Sequence, residues 1–252
     1  MQRKLIALQA LKDASAFLQK KFRVTRKGMA KHDGSLVSEA DHGSEKLILP
    51  AIRKAFPDDA ILSEESGETH GTSGYRWILD PLDGTANFLA GIPLFSILLA
   101  LEKKGTVLLA FCVFPMLSEV WVAERGKGTT LNGKRQHVSP VSSLQGKMFL
   151  GDGSSLLDHQ TVAGDTQTFL GSGCRYRLLG HVAFGMTRVA LGTAVGAVMR
   201  QGNVWDLAAP CLLVEEAGGT VTDFQGKVWD LKPRPLLATN GVLHDTILPL
   251  LR

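Results

Sequence analysis

The sequence predicts a mixed α/β fold of the α+β type, in which helices layer against a largely antiparallel first sheet and a second, mixed sheet. The first observation is helical periodicity, which recurs near residues 4–22, 182–191 and 206–217. The second is a series of apolar runs broken by turn residues between 94 and 138, which is typical of consecutive antiparallel hairpins. Strands and helices mixed in this order favour a layered α/β arrangement.

The composition is that of a compact globular chain. Of 252 residues, 44% are hydrophobic and 21% are charged, close to the averages of folded domains. We therefore expect one domain over residues 1–252, with at most a subdomain seam near 140–146. The longest apolar stretches, 92–101 and 107–117, are far shorter than a membrane helix, so no membrane association is expected.

The net charge and the cysteines bound the partners and the compartment. A net charge of +4 suits an anionic small molecule as well as nucleic acid. Cys112, Cys174 and Cys211 form no CxxC pair and are odd in number. This argues against a disulfide framework or a structural zinc site and indicates a cytoplasmic protein.

The first helix is predicted over residues 4–22, with one apolar face made of Leu5, Leu8, Leu11, Leu18 and Phe22. The segment is basic, as transit peptides are, but it has no continuous apolar stretch, so we interpret it as part of the mature fold. The stretch 23–35 that follows is rich in lysine and arginine, and we expect a solvated loop there.

The remaining elements of the first half follow from local signals. Ser38 and Asp41 have the spacing of a capping box, so a second helix begins near Ser38, and Pro57 ends it. Short strands are predicted at 60–62 and 75–79.

The second half is predicted to return to mixed order. Strands are expected near 147–151, 175–179 and 195–199. A further helix near 242–251 joins the two named above, and Gly218 is a plausible stop after the helix at 206–217.

The most informative segment is WILDPLDGTANF, residues 77–88. An apolar strand leads directly into Asp80 and Asp83, and strand ends are where sites of α/β proteins usually lie. The two carboxylates and the Leu82 carbonyl between them offer the oxygen ligands that Mg²⁺ prefers. The backbone N–H groups of Gly84 and Thr85 would then face a bound phosphate.

Other acidic residues can be interpreted as structural as well as functional. Glu64 and Glu65 follow a strand and fit a solvated rim, and strand alternation predicts that only one of them points inward. Asp41 fits a first-turn helix acid, and Asp206 fits the start of its own helix. Each structural reading is individually reasonable, so the sequence leaves these alternatives open.

Taken together, these segments resemble the inositol monophosphatase family in order and spacing along nearly the whole chain. The matching stretches are VSEAD at 37–41, LSEES at 62–66, WILDPLDGTANF at 77–88, WDLAA at 205–209 and EAGG at 216–219. The resemblance implies a layered αβαβα sugar-phosphatase fold, a lithium-sensitive phosphatase that requires Mg²⁺, which Mn²⁺ can replace, and a homodimer.

The resemblance also implies a metal site of two or three ions. Glu64, Asp80 and the Leu82 carbonyl would bind the first ion. Asp80, Asp83 and Asp206 would bind the second, and the last two would also face the substrate. Four clustered carboxylates repel one another strongly without cations, so the pattern predicts dependence on metal.

The same resemblance implies the catalytic roles. Asp41 corresponds to an outer-shell acid near a third, weaker ion. Thr85, together with Glu64, would orient the attacking water, and the amides of Gly84 and Thr85 would hold the phosphate.

The residues that would select the substrate depart from the family pattern. Met199 or Arg200 stands where many relatives carry a glutamate that binds substrate hydroxyls. His181 stands where serine is common, and with Ala183 it is a candidate substrate contact; a structural histidine at a helix start is the alternative.

Two other branches of the superfamily also resemble this chain. The segments KHDGS at 31–35 and ATNGVLH at 238–244 are similar to the histidinol-phosphatase branch, and Arg200 with its neighbours is faintly similar to the 3′-phosphoadenosine 5′-phosphate branch. The expected substrate is therefore a small phosphate ester. An inositol-type polyol phosphate ranks first, then histidinol phosphate, then the bisphosphate nucleotide.

Two further classes of function fit the sequence less well. GTTLNGKR at 128–135 is similar to a P-loop but lacks the Ser or Thr after the lysine, which argues against an NTPase.

A regulatory protein on a phosphatase scaffold would bind nucleic acid or protein through a basic segment. The residues of that segment are Lys20, Lys21, Arg23, Arg26, Lys27 and Lys31. Every motif position that would carry catalysis keeps its chemical type, so an enzyme is favoured and nucleic-acid binding is not expected.

Overall fold

Helices and sheets alternate in five layers in the computed structural model, which describes residues 2–25, 27–31, 36–152 and 159–251. The described strands form a hairpin of two, a sheet of eight and a sheet of five. The order is helices, first sheet, helices, second sheet, helices. The predicted fold class and layering are confirmed.

The first layer consists of helices α1 (Gln2–Lys21) and α2 (Glu39–Ala55), which pack against each other and against one face of the first sheet. The predicted apolar face of α1 is wrong at Leu5, whose side chain is 63% exposed. The buried face is instead made largely of small residues, because they allow close approach to α2. Ser38 caps α2 through the predicted capping box with Asp41.

Part of the loop expected at 23–35 is instead a short antiparallel hairpin. Strand β1 (Gly28–Ala30) pairs with β2 (Leu36–Ser38), which leads directly into α2. Residues 32–35, part of the KHDGS segment, lie outside the described residues. The hairpin brings Lys31 to the end of a strand.

The first sheet is antiparallel except for one parallel pair, β3 with β5. The central strand β5 continues through Pro81 to the second aspartate, with a register shift between Asp80 and Asp83. The predicted hairpins at 94–138 are confirmed. The strands are β3 (Ala60–Ser63), β4 (Gly67–Thr69), β5 (Tyr75–Asp83), β6 (Ser96–Lys103), β7 (Thr106–Phe114), β8 (Glu119–Glu124), β9 (Gly128–Leu131) and β10 (Lys134–Arg135).

The second sheet is mixed, as predicted. Its strands lie in the order β12, β11, β13, β15, β14, with parallel pairing among the first three and antiparallel pairing among the last three. The last two strands were not predicted. The five are β11 (Met148–Gly151), β12 (Arg175–Leu178), β13 (Gly196–Met199), β14 (Thr220–Asp223) and β15 (Leu236–Thr239).

Two helices fill the space between the sheets and carry the central core. They are α5 (Val182–Ala190) and α6 (Val204–Glu216), both close to their predicted bounds. Their side chains pack with Leu98 of the first sheet and Ala197 of the second in one buried cluster. The two sheets therefore share a core, although the chain passes from one to the other near the predicted seam.

The outer layer covers the far face of the second sheet. It contains α4 (His159–Gly171), which was not predicted, and α7 (His244–Ile247). The helix expected near 242–251 is shorter than predicted, because a 3₁₀ turn, Leu248–Leu251, replaces its second half. A six-residue helix, α3 (Thr85–Ala90), follows β5.

The described part of the chain contains no helix whose length and hydropathy suit a membrane crossing. Cys112, Cys174 and Cys211 are buried and unpaired.

Candidate active site

Three acidic side chains meet where the parallel strands β3 and β5 end. Glu64 follows β3, and its backbone N–H donates to the Leu79 carbonyl of β5 at 3.1 Å, which fixes it beside Asp80. Asp206 reaches the same point from the first turn of α6. One ligand oxygen from each of Glu64, Asp80 and Asp206 lies within 4.8 Å of the others. The family resemblance assigned all three residues to one site, and the fold supplies the geometry.

The electrostatics of this cluster favour a bound cation. Burial raises the pKa of Asp80 well above its usual value, and the charges of Glu64, Asp83 and Asp206 raise it further. Burial likewise raises the pKa of Asp206, with the charges of Asp83 and Glu64 adding to it. A bound divalent ion would relieve this repulsion, and an all-oxygen donor set suits Mg²⁺ or Mn²⁺. The residues present therefore fit the metal that the sequence predicts.

The turn after β5 places Asp83, Gly84 and Thr85 at the edge of the cluster. Asp80 Oδ1 accepts a hydrogen bond from the Leu82 N–H at 2.9 Å, and the Leu82 carbonyl oxygen lies 3.0 Å from the Thr85 hydroxyl. Gly84 has φ of +87°, and a Cβ there would lie 2.6 Å from the His181 ring. Only glycine fits this position.

Asp41 links helix α2 to this turn. Its Oδ2 accepts from the N–H and hydroxyl of Ser38 at 2.8 and 2.7 Å, and the bond from the N–H is one half of the capping box. Its Oδ1 accepts from the Thr85 hydroxyl at 2.8 Å. Burial raises the pKa of Asp41, and the Ser38 and Thr85 hydrogen bonds oppose that rise. Asp41 therefore both caps its helix and holds Thr85.

His181 is buried against Asp83. Its Nδ1 accepts the Phe184 N–H at 3.0 Å as the N-cap of α5, so Nε2 carries the ring proton. Nε2 lies 3.2 Å from the Asp83 carbonyl oxygen and 3.4 Å from Asp83 Oδ2. The His181 side chain is 0% exposed and contacts Asp83, so it stabilises the turn at that residue. A side chain buried in this way does not support the predicted substrate contact.

Lys31, which the sequence analysis placed in the basic segment, contacts the acidic cluster. Its Nζ lies 2.7 Å from Glu64 Oε1 and 2.6 Å from Glu65 Oε1. Burial opposes protonation, yet the hydrogen bonds to both glutamates raise the pKa of Lys31. Of the two adjacent glutamates, Glu64 and not Glu65 belongs to the three-carboxylate cluster, which agrees with the expectation that one of them points inward.

Glu45 is a residue that the sequence analysis missed. It lies on the buried side of α2, and its carboxylate accepts hydrogen bonds from the Ser63 hydroxyl and from the Ser66 N–H, the latter at 3.2 Å. These contacts fix the turn that carries Glu64. An acidic residue one turn before Ile48 and Leu49 of the buried helix face was the available signal.

Arg200 lies apart from the acidic cluster and is already paired. Its guanidinium forms a bidentate ion pair with Asp165 of α4, with Nε donating to Oδ2 at 2.9 Å, and it stacks on the Phe224 ring at 4.7 Å. A guanidinium neutralised in this way does not support Arg200 as one of the residues that would select the substrate. Ala183 has its side chain buried in the central core, so its side chain is also not positioned as a substrate contact.

The histidine that resembled the histidinol-phosphatase branch lies outside the site. His244 is buried in the outer part of the second sheet, where Nε2 is 2.9 Å from the Thr222 hydroxyl and Nδ1 is 3.0 Å from the Thr239 hydroxyl. The Thr222 hydroxyl donates to the Asp223 carbonyl, so it accepts from Nε2. His244 is a structural residue in this fold.

Comparison with protein families places the whole arrangement in context. The profile described as the inositol monophosphatase family matches residues 2–252. An inositol-1-monophosphatase of Rhizobium meliloti is 38% identical over 208 residues, 81% of this chain and 76% of its own. A Nus factor SuhB of Pseudomonas aeruginosa is 37% identical over 221 residues, 84% of this chain and 81% of its own. A histidinol-phosphatase of Chlorobaculum parvum is 35% identical over 220 residues, 87% and 84% respectively.

Solved structures share the fold over the full length. The extragenic suppressor protein SuhB of Bartonella henselae superposes with a TM-score of 0.94 at 31% identity, covering 100% of this chain and 99% of that one. An IMPase/NADP phosphatase complexed with Mg²⁺ and phosphate superposes with a TM-score of 0.87 at 25% identity, covering 100% and 95%. Both similarities extend across the two sheets and the cluster between them.

Proposed function

The chain belongs to the inositol monophosphatase family and is a phosphoric monoester hydrolase, and we propose that it hydrolyses a small polyol phosphate of the inositol 1-phosphate type with Mg²⁺. The observation that carries this proposal is the convergence of Glu64, Asp80 and Asp206, whose oxygens lie within 4.8 Å of one another. Burial and the charges of neighbouring carboxylates raise the pKa values of Asp80 and Asp206, and a bound cation would relieve that repulsion.

The metal would be held by the residues that the family resemblance names. Glu64, Asp80 and the Leu82 carbonyl would hold one ion, and Asp80, Asp83 and Asp206 a second. When bound, paired divalent ions supply charge neutralisation and an activated water for in-line displacement at phosphorus. Two to three ions are proposed, with Mn²⁺ as a substitute for Mg²⁺.

The protein's own groups would then orient the reactants. The Thr85 hydroxyl lies 2.8 Å from Asp41 Oδ1 and 3.0 Å from the Leu82 carbonyl oxygen, and both of these groups are acceptors. Its one proton is donated to one of them, so the oxygen lone pairs are left to accept a hydrogen bond from the attacking water. Glu64 would accept the second proton of the same water, and the backbone N–H groups of Gly84 and Thr85 would bind the phosphate. Phosphoryl transfer needs mainly such positioning and charge neutralisation.

The proposal is tested by phosphate release from inositol 1-phosphate, histidinol phosphate, 3′-phosphoadenosine 5′-phosphate, fructose 1,6-bisphosphate and glycerol 2-phosphate. Each ester is assayed with Mg²⁺, with chelator and with added Li⁺. Asp83→Asn serves as the inactive variant, and Asp58→Asn, at an exposed acid away from the cluster, is its charge-matched control. No turnover of any ester by folded, metal-loaded protein would refute the proposal. The homodimer, also proposed, is tested by light scattering on the same sample.

A second candidate function is regulatory, and the relative named Nus factor SuhB favours it. The basic segment would be its contact surface, but the ion pairs of Lys21 with Glu39 and of Lys31 with two glutamates reduce its free charge. Arg26 lies outside the described residues. RNA binding at physiological salt by the wild type and by a Lys20→Gln, Lys27→Gln double variant tests this candidate, because both lysines are exposed.

A further inference from the structure

We propose that Lys31 is a built-in cation of the metal-free site, and that the first metal ion must displace its ammonium group from Glu64. This inference rests on the proposed function, because it takes Glu64 as a metal ligand. It adds a residue that sets how tightly the site binds metal. The chain thereby carries its own competitor for Mg²⁺.

The contacts place the ammonium directly on a metal ligand. Lys31 Nζ is 2.7 Å from Glu64 Oε1 and 2.6 Å from Glu65 Oε1, distances typical of charge-assisted hydrogen bonds. The side chains are 22%, 18% and 5% exposed for Lys31, Glu64 and Glu65. Solvent therefore screens this pair less than it screens an exposed surface pair.

The charge of the cluster explains why a lysine is held there. Among the described residues, Lys31 is the one lysine or arginine within ion-pair distance of Glu64, Asp80 or Asp206. Its single positive charge partly offsets three carboxylates that burial keeps close together. An ammonium group has three donors and no acceptor, so it satisfies carboxylate oxygens but cannot bridge them as a divalent ion does.

Glu65 gives the ammonium a place to remain when the metal arrives. Glu65 lies beside Glu64 but outside the three-carboxylate cluster. When a metal ion binds Glu64, Lys31 can lose its contact with Glu64 and keep its contact with Glu65. The ammonium group therefore loses one of its two carboxylate partners and is not left unpaired. The cost is therefore moderate, and metal binding is weakened rather than prevented.

The consequence is an increase in metal affinity when the ammonium is removed. Lys31→Met keeps a side chain of similar length without the charge, and we expect it to lower the Kd for Mg²⁺ about tenfold, equivalent to about 1.4 kcal/mol. Without metal, the same variant leaves the carboxylates uncompensated, so its Tm should fall. The rise in Tm on adding Mg²⁺ should then exceed that of the wild type.

The experiment measures Mg²⁺ binding by calorimetry and by Mg²⁺-induced thermal shift, without substrate. Lys27→Met is the matched control, because Lys27 is an exposed lysine at the start of the same hairpin. Lys31→Arg keeps the positive charge and should keep the weak affinity. It also tests the inference if Lys31→Met fails to fold, since an arginine variant that binds Mg²⁺ tenfold more tightly would contradict it.

The outcomes separate this inference from the proposed function. A lower Kd in Lys31→Met, with Lys27→Met and Lys31→Arg unchanged, supports it. An equal or higher Kd in Lys31→Met overturns it and makes Lys31 a residue that orients Glu64. If neither wild type nor variants bind Mg²⁺, the metal site itself is refuted. If Mg²⁺ binds as expected but no ester is hydrolysed, only the proposed function fails.

Discussion

Replacing His181 by asparagine should weaken metal binding while leaving the fold intact. The imidazole makes two separable contacts: Nδ1 accepts the Phe184 N–H as the cap of α5, and Nε2 faces the carbonyl and carboxylate of Asp83. Asparagine is a favourable N-cap residue, so the first contact is kept. Its amide is too short to reach Asp83, so the second is lost.

The structure bounds the size of this effect. Asp83 Oδ2 is contacted by the His181 ring nitrogen at 3.4 Å and by the Ser96 hydroxyl at 3.3 Å, so the variant removes one of two side-chain supports. Removing a partner that orients a metal ligand typically weakens metal affinity about 10–100-fold. Hydrogen bonds to charged groups contribute about 1.5–3 kcal/mol, which gives the same range. We therefore expect a 10–100-fold higher Mg²⁺ requirement.

The assay is a Mg²⁺ titration of phosphate release together with direct Mg²⁺ binding. High Mg²⁺ should restore much of the activity of His181→Asn, because the ligand itself is retained. Phe169→Leu is the control: it removes packing from a fully buried ring in the outer core, far from Asp83, and should lower Tm without altering Mg²⁺ affinity. If His181→Asn binds Mg²⁺ as tightly as the wild type, the proposed stabilisation of Asp83 by His181 is refuted.

Four further results are expected. Asp83→Asn should abolish Mg²⁺-dependent phosphate release while the metal-free Tm stays equal or rises, because the substitution removes one of several repelling charges; activity and thermal melts check this. Thr85→Val should lower kcat about 10²–10⁴-fold, whereas Thr85→Ser should retain most of it, as measured at saturating Mg²⁺. Arg200→Met should lower the free energy of unfolding by about 1–3 kcal/mol, because it breaks the pair with Asp165, and should leave the ratio of rates for inositol 1-phosphate and histidinol phosphate unchanged; urea denaturation and the two-substrate assay test both parts. Burial lowers the pKa of His244 below its unfolded value of about 6.5, so the unfolded chain binds more protons, and stability should fall as pH decreases from about 7 through that value toward the folded pKa; unfolding of His244→Gln should show a shallower loss over the same pH range.

Elements with strong periodicity or capping signals could be predicted from the sequence. Helix α2 shows this: Ser38 and Asp41 mark its start, and the structure places the capping box at those residues. Helix α4 could not be predicted in the same way. Of its residues, Asp165 and Phe169 are the buried ones, so no apolar stripe marks it. Its buried acid is explained only by Arg200, which comes from a different layer.

From local sequence patterns, without the family resemblance, the candidate site could be predicted chiefly where its parts are adjacent in sequence. Asp80, Asp83 and Gly84 lie in one segment, and a turn after an apolar strand is visible in the sequence. The contacts that position them join residues far apart: Lys31 and Glu64 are separated by 33 residues, Thr85 and Asp41 by 44, and His181 and Asp83 by 98. Such pairings depend on how the layers stack, which local patterns do not encode.

The structural and functional interpretations of the acidic residues are compatible. A carboxylate has two oxygens, so one can satisfy a helix end while the other serves the site. Asp41 uses Oδ2 for the cap at Ser38 and Oδ1 for Thr85. Asp206 accepts the Asn203 N–H at 2.6 Å through Oδ2 as the cap of α6 and still belongs to the three-carboxylate cluster. The helix ends therefore hold these two acids rigidly in place, which is why a capping signal was no argument against a functional role.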